Sequence, residues 1–442
     1  MQFRLSGHFT YRRLLRFVIS PILMMICTSI YGVIDGFFVS NFIGKTAFAA
    51  VNLMMPVYLV AVAIGFMIGE GGNAIISKTL GEGNRILANQ YFSLLVYVSS
   101  FIGLLLSIGG WLFIPQIAAG LGAHGELSRY CITYGRIILA SQCFYVLQNV
   151  FQSFFIASGK PDLSLKVAIA AGLTNALLDL IFIVVLQWGI VGAAWATALG
   201  QMAGSLIPLF YFMHRNSSFL RLTSTPLYPK ILLKTFTNGS SDMVSVLSGS
   251  VVSIIYNYQL MAFAGENGLA AYGAMMYVNF IFMSIFLGYA SGSAPLISFQ
   301  HGAKNYPELH NLFKKSLILV SAAGIIITLI AEISAYPILK MFVGYDQELL
   351  LMSVHGFRIY SVAFLFMGLN IWGTAFFTAL NNGLISAAIS FLRTFGFELS
   401  AILLLPRWLG IDGVWSAIFA AEFCSVLVTA CFIIKKRSYY RY

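Results

Sequence analysis

Long apolar stretches separated by short polar ones run the length of the chain, with the spacing of helices that cross a bilayer. About 20 apolar residues make one crossing. Twelve stretches reach that length: residues 14–39, 47–71, 88–113, 130–157, 163–186, 190–212, 232–263, 268–297, 311–338, 349–380, 383–405 and 411–434. A polar break after the sixth divides the chain into an N-lobe of residues 1–213, a connector of 214–231 and a C-lobe of 232–442. The pattern predicts an all-α polytopic membrane protein. Its first apolar run follows basic residues as a signal peptide would, but it is too long for one and is expected to stay as a helix.

The lobes repeat. GEGGNAIISKTLGEGN at 69–84 aligns with ASGSAPLISFQHGAKN at 290–305, bringing Gly71 to Gly292, Ile76 to Ile297, Ser77 to Ser298, Gly81 to Gly302 and Asn84 to Asn305. In the same register Gly44 meets Gly265, Ala49 meets Ala270, and GIVG at 189–192 meets GIDG at 410–413. An even number of helices per copy makes the copies parallel, related by an axis along the membrane normal. Two pseudo-symmetric six-helix bundles are therefore expected to enclose a cleft.

Ionisable residues inside the apolar runs change the picture from architecture to chemistry. Asp35 interrupts the first run, and Tyr31, four residues earlier, shares its helix face. Asn175 and Asp179 repeat that spacing in the fifth run. Carboxylates at such depth are costly and mark ion or substrate pathways by default. Burial also raises the pKa of a carboxylate, which is how a proton carrier is tuned toward neutral pH. At the repeat register Asp35 meets Tyr256 and Asp179 meets Ser400, so this chemistry is not duplicated. Asp242, early in the seventh helix, is a second candidate acid. Arg393 and Glu398 are five residues apart, a poor intrahelical spacing, and are expected to pair across helices. Glu70, Glu332 and Glu422 fall near predicted helix ends and are expected to be solvated.

Composition and charge narrow the class. With 59% hydrophobic and 9% charged residues, an ordinary soluble surface is excluded. The net charge of +11 comes from basic residues in short loops, a mark of orientation in a membrane and not of nucleic-acid binding. Arg12, Arg13, Arg16, Lys78, Arg85 and Lys304 fall on one side, while the other side keeps only Lys45, Arg129, Lys340 and Arg407. Both termini are thus expected in the cytoplasm, with the protein in the plasma (inner) membrane. The five cysteines are scattered, so no disulfide or metal site is expected. No P-loop, HExxH or GxSxG occurs, so neither an enzyme nor ATP-driven transport is expected, and no cofactor.

These residues together resemble the multidrug and toxic compound extrusion (MATE) exporters. The likeness rests on two bundles of six helices, the YxxxD of Tyr31 and Asp35, GEGN at 81–84, ASGKPD at 157–162, and the NxxxD of Asn175 and Asp179. Thr197, in GAAWAT, stands where the family's N-lobe cation site has a threonine. The N-lobe set resembles the DinF-like branch, whose members are described as coupling to protons, sodium or both. Asp242 lies near a glutamate of the NorM-like branch, but the tenth helix lacks that branch's aspartate.

The resemblance implies an ion-coupled antiporter that exports amphipathic, often cationic, compounds by alternating access. Asp35, Asp179, Asn175, Tyr31 and Thr197 would form the coupling site, where the oxygens of Asp35, Asn175, Asp179 and Thr197 suit a proton or sodium. Met54, Met55, Tyr145, Gln148, Asn149, Phe280 and Met283 are candidate cleft residues, since adaptable methionines and aromatic faces suit a polyspecific pocket. Pro21 and Pro56 are candidate bending points of the first two helices. Partners are expected to be a small-molecule substrate and the bilayer, with no obligate protein partner. The alternative is a flippase for a lipid-linked precursor, which would favour a cationic cleft.

Overall fold

The computed structural model describes residues 5–442; the first four residues of the N-lobe assignment lie outside them. Its helices are α1 (Tyr11–Phe38), α2 (Lys45–Gly81), α3 (Arg85–Gly120), α4 (Gly125–Ala140), α5 (Gln142–Ala157), α6 (Pro161–Asp179) and α7 (Ile190–Met213). After residues 214–228 come α8 (Pro229–Gly302), α9 (Tyr306–Val343), α10 (Gln347–Ser361), α11 (Phe364–Ala379), α12 (Gly383–Phe391), α13 (Leu399–Leu404), α14 (Pro406–Leu409) and α15 (Ile411–Tyr440).

Among the described residues, nine helical stretches are long and apolar enough to span a bilayer, one of them, Gly383–Leu409, running through α12, its π-helical extension Leu392–Glu398, α13 and α14. Another, α8, has 74 residues, several times what a single crossing needs. It breaks at Gly265, where φ is 58°, and its two arms pack together, with Tyr256 stacked on Tyr272 at 5.2 Å. Two further crossings are broken pairs: α4 and α5 around Ser141, and α10 and α11, bent by 49°. Counted this way the chain crosses twelve times, six in each half.

The repeat is visible in the backbone. Gly189 and Gly410, paired by the sequence register, open α7 and α15 with φ/ψ of 59°/−138° and 59°/−136°. Such angles favour glycine because a Cβ would collide with the backbone. At the end of the bundle that carries both chain termini, the halves touch through another repeat pair. A Cβ on Gly81 would lie 2.1 Å from the Phe299 carbonyl oxygen, and one on Gly302 the same distance from that of Lys78. Since Lys78 and Phe299 are themselves repeat mates, a pseudo-two-fold axis passes between α2 and the second arm of α8. The first arm of α8 meets α2 as closely, Gly71 against Thr235 and Gly239 against Met67.

This sealed end is filled by Leu14, Phe17, Met24, Leu296, Ile297 and Leu380. Residues 5–10 strap across it, with the Phe9 amide donating to Glu308 at 2.8 Å and Gln300 donating to the Leu5 carbonyl at 3.1 Å. Helix α1 runs unbroken through Pro21, which packs on Gly292. The segment between the halves is laced to α3: the backbone amides of Arg221 and Thr223 donate to the side chains of Asn89 and Ser93.

Two expectations about charge need correction, and a third, for Glu332, is met in part. Glu422 is fully buried in the middle of α15, not solvated, because Arg393 neutralises it. Glu70 lies in the body of α2, whose helix continues eleven residues beyond it to Gly81, and is held by two serines. Glu332 accepts a hydrogen bond from Ser361 at 2.7 Å and retains a third of its side-chain surface.

Candidate functional site

Asp35 lies in a cavity of about 110 Å³ inside the N-lobe, bordered by Tyr31, Met54, Gln148, Asn175 and Thr197. Five helices bring these residues together: α1 carries Tyr31 and Asp35, α2 Met54, α5 Gln148, α6 Asn175 and α7 Thr197. The approach of α7 to α6 depends on Gly200, where a Cβ would come 3.0 Å from that of Asn175. Gly172 makes similar room for the Tyr31 ring. The shared helix face read from the sequence is real, and both YxxxD residues open onto the same space.

The polar atoms here are only partly satisfied. Thr197 Oγ1 lies 3.3 Å from Asp35 Oδ1, but the same hydroxyl also donates to the Ala193 carbonyl at 3.0 Å. One proton shared two ways is a weak donor for a carboxylate. Asp179 is completely buried, and neither of its carboxyl oxygens has a hydrogen-bond partner. Both amide atoms of Asn175, one turn earlier, are also buried and unpartnered. Asp35 is nevertheless their immediate neighbour, close enough for the Asn175 amide to turn to its carboxylate and for a single proton to be shared with Asp179. Buried polar groups are nearly always paired, because an unmet donor or acceptor costs about 1–3 kcal/mol. A knot of unmet oxygens around two carboxyls fits a hard cation or a proton. Among the described residues no cluster of three or more acids, histidines or cysteines forms a metal site.

The helices are irregular at this point. α6 widens into π-helical turns at Leu180–Val185, directly after Asp179, and α1 does so at Val39–Ile43. Such turns often accompany functional sites because they swing side chains out of the regular ladder.

Other candidates distribute differently. Met54, Met55 and Gln148 border the cavity. Tyr145 stacks on Tyr58 at 4.4 Å, and the Asn149 amide donates to the Tyr145 carbonyl at 2.8 Å, so both pack the lobe beside it. Phe280, half exposed, and Met283 lie on the second arm of α8, away from this cavity. Asp242 comes within reach of Glu70 on α2. Tyr134 of α4 and Gln201 of α7 also border the cavity, and the sequence reading passed over them. The available signal was the four-residue spacing of Tyr134 and Ile138 and of Thr197 and Gln201.

The C-lobe holds a second polar cluster in the equivalent place. Glu422 stands at the repeat position of Gln201, and Asn370 at that of Asn149. Arg393 donates to Glu422 Oε1 through Nε at 2.9 Å and Nη2 at 2.5 Å, and the Asn370 amide donates to Oε2 at 2.6 Å. Thr429 donates to Asn370 Oδ1 at 3.2 Å. Arg393 therefore pairs across helices as expected, but with Glu422; Glu398 stands in reach of both.

A family model described as MatE matches the chain twice, over residues 21–181 and 243–402, once per lobe. The multidrug export protein MepA of Staphylococcus haemolyticus is 24% identical over 426 residues, 96% of this chain and 93% of that protein. MepA of Staphylococcus aureus is also 24% identical, over 423 residues, 94% and 92% of the two. An outward-facing multidrug resistance MATE family transporter of the MOP superfamily superposes with a TM-score of 0.93 at 22% identity, covering 99% of this chain and 98% of that one. A MOP superfamily transporter from Pyrococcus furiosus superposes at 0.92, also at 22% identity and the same coverage. These superpositions carry the fold of two six-helix bundles. With both lobes matched, over most of its length, the chain belongs to the MatE family and is a multi-pass membrane protein.

Proposed function

We propose that this protein is an ion-coupled antiporter that exports amphipathic, often cationic, small molecules by alternating access. The observation that carries this reading is the set of unpartnered buried atoms on Asn175 and Asp179 beside Asp35. A structural acid would be satisfied by its neighbours; a coupling acid must be left for its ion. Binding of a proton or sodium neutralises the carboxyls, Thr197 and Asn175 turn toward the new charge distribution, and α1 and α6 shift at their π-helical turns. The two moving bodies are residues 1–213 and 232–442, joined by 214–231, with both termini in the cytoplasm. The sealed end is then the cytoplasmic one.

Support for the substrate class comes from relatives named multidrug export proteins. The flippase alternative expects free arginines at depth, whereas Arg393 is tied to Glu422. The test is efflux of a fluorescent lipophilic cation from reconstituted vesicles under an imposed pH gradient and, separately, a sodium gradient. Efflux driven by one gradient and lost in Asp35→Asn supports the reading and identifies the ion. If neither gradient moves several unrelated dyes, the exporter reading fails.

A further inference from the structure

Glu70 sits where the two halves meet, and its carboxyl is held by both. Ser153 of α5 donates to Oε1 at 2.9 Å, and Ser291 of the second arm of α8 donates to the same oxygen at 2.6 Å. The backbone around it is pinched: a Cβ on Gly69 would meet Ser153 Oγ at 2.9 Å, and one on Gly71 would meet the Thr235 carbonyl oxygen of the first arm at 2.2 Å. Asn73, fully buried one turn on, gives its Oδ1 to Ser77 and leaves its amide nitrogen unpartnered.

The charges around this point are one-sided. From the C-lobe, Asp242 on the first arm of α8 lies within electrostatic reach. Of the lysines of α2 and α8, Lys45 and Lys230 lie at the starts of their helices, and Lys78 and Lys234 group with Glu82 and His301 toward the helix ends, where Lys78 pairs with Glu82 at 3.5 Å. Ser153 is what α5 presents, and the turn after α11 meets this part of α2 through the nearby Asn381, whose amide donates to the Ala74 carbonyl. One acid from each lobe thus meets at the seal, among hydroxyls, with no cation bonded to either among the described residues.

We infer that Glu70 is a second proton-binding position, separate from the Asp35 and Asp179 pair, and that its protonation latches the sealed end. With a proton on Glu70 the two acids carry at most one charge, and the serine hydroxyls of both lobes bridge to the carboxyl. Without it, two carboxylates, one from each lobe and each partly shielded from water, lie within electrostatic reach and repel. Parting of the lobes breaks the bond from Ser291, admits water to Glu70 and lets the proton leave to the water at that end. The inference rests on the alternating-access reading but not on the role of Asp35 or Asp179.

The test places spin labels at Ile86→Cys and His310→Cys, one per lobe at the sealed end, in a full-length chain freed of its five native cysteines and carrying Asp35→Asn and Asp179→Asn. Distance distributions are recorded from mildly acidic to mildly alkaline pH. The expected result is a short-distance population that falls as pH rises, becomes independent of pH in Glu70→Gln, and in Ser291→Ala falls at lower pH than in the parent. Ser291→Ala is the safeguard should Glu70→Gln fold poorly. The inference is overturned if the parent shows no pH dependence, if Glu70→Gln leaves that dependence unchanged, or if Ser291→Ala leaves the profile in place. A single distance under every condition, in the chain with native Asp35 and Asp179 as well, overturns alternating access itself.

Discussion

The N-lobe site and the C-lobe cluster occupy equivalent places in two copies of one bundle, yet their polar groups are treated in opposite ways. In the C-lobe, Glu422 is fully buried and both its oxygens are taken, by Arg393 and by Asn370. In the N-lobe, Asp179 is equally buried and neither oxygen is taken. A paired, hydrogen-bonded charge is stable and inert, whereas an unmet one waits for a ligand. The two bundles share one framework, yet the acid in one is met by its neighbours and the acid in the other is not. The difference teaches that burial of an acid does not by itself mark function; what matters is whether the surrounding helices satisfy it.

The largest effect that would break this comparison is on stability in the C-lobe. Glu422→Ala removes the hydrogen-bonded partner of the part-buried Arg393, a loss of up to about 3 kcal/mol, to be seen as a lowered unfolding temperature in detergent, while joint replacement by Arg393→Met and Glu422→Leu should recover most of it. If Glu422→Ala is as stable as wild type, the cluster is not the closed counterpart drawn above.

In the N-lobe the expected effect falls on transport instead. Asp35→Asn and Asp179→Asn should each slow gradient-driven dye efflux about 100-fold, close to 2.7 kcal/mol in activation terms, with the unfolding temperature unchanged or raised. A variant that unfolds early but still couples would move Asp179 into the structural class.

The symmetric part of the comparison is sharpened by the crossing at the seal. Gly81→Ala and Gly302→Ala place a methyl against the same kind of backbone oxygen in the two copies. Each should cost about 1–3 kcal/mol by overpacking, and they should match. Unequal melting shifts would mean that the pseudo-two-fold contact is not shared evenly.

The smallest effect is expected from Thr197→Ala, which removes a hydroxyl that Asp35 shares with Ala193. Its cost should be about 1 kcal/mol, read as a several-fold rise in the ion concentration giving half-maximal efflux, and Thr197→Ser should restore the wild-type value.

Helix count, the parallel repeat and its register were legible from the chain alone. Apolar length and glycine placement are local properties, and the bilayer penalises any backbone that does not close its own hydrogen bonds. Gly44, Gly189, Gly265 and Gly410 mark turns in the structure where the register had paired them. Asp35, Asn175 and Asp179 were legible for the same reason: charge and amide at helical spacing are conspicuous in an apolar run. Tertiary structure alone decided which acids were met and by what. Glu422 looked like a helix-end residue until α12 and its π-helical extension brought Arg393 to it. Glu70 looked solvated until the two lobes closed their serines around it. Partnership between helices depends on how they rotate and approach, and those are set by packing across the bundle, which no single stretch of sequence contains.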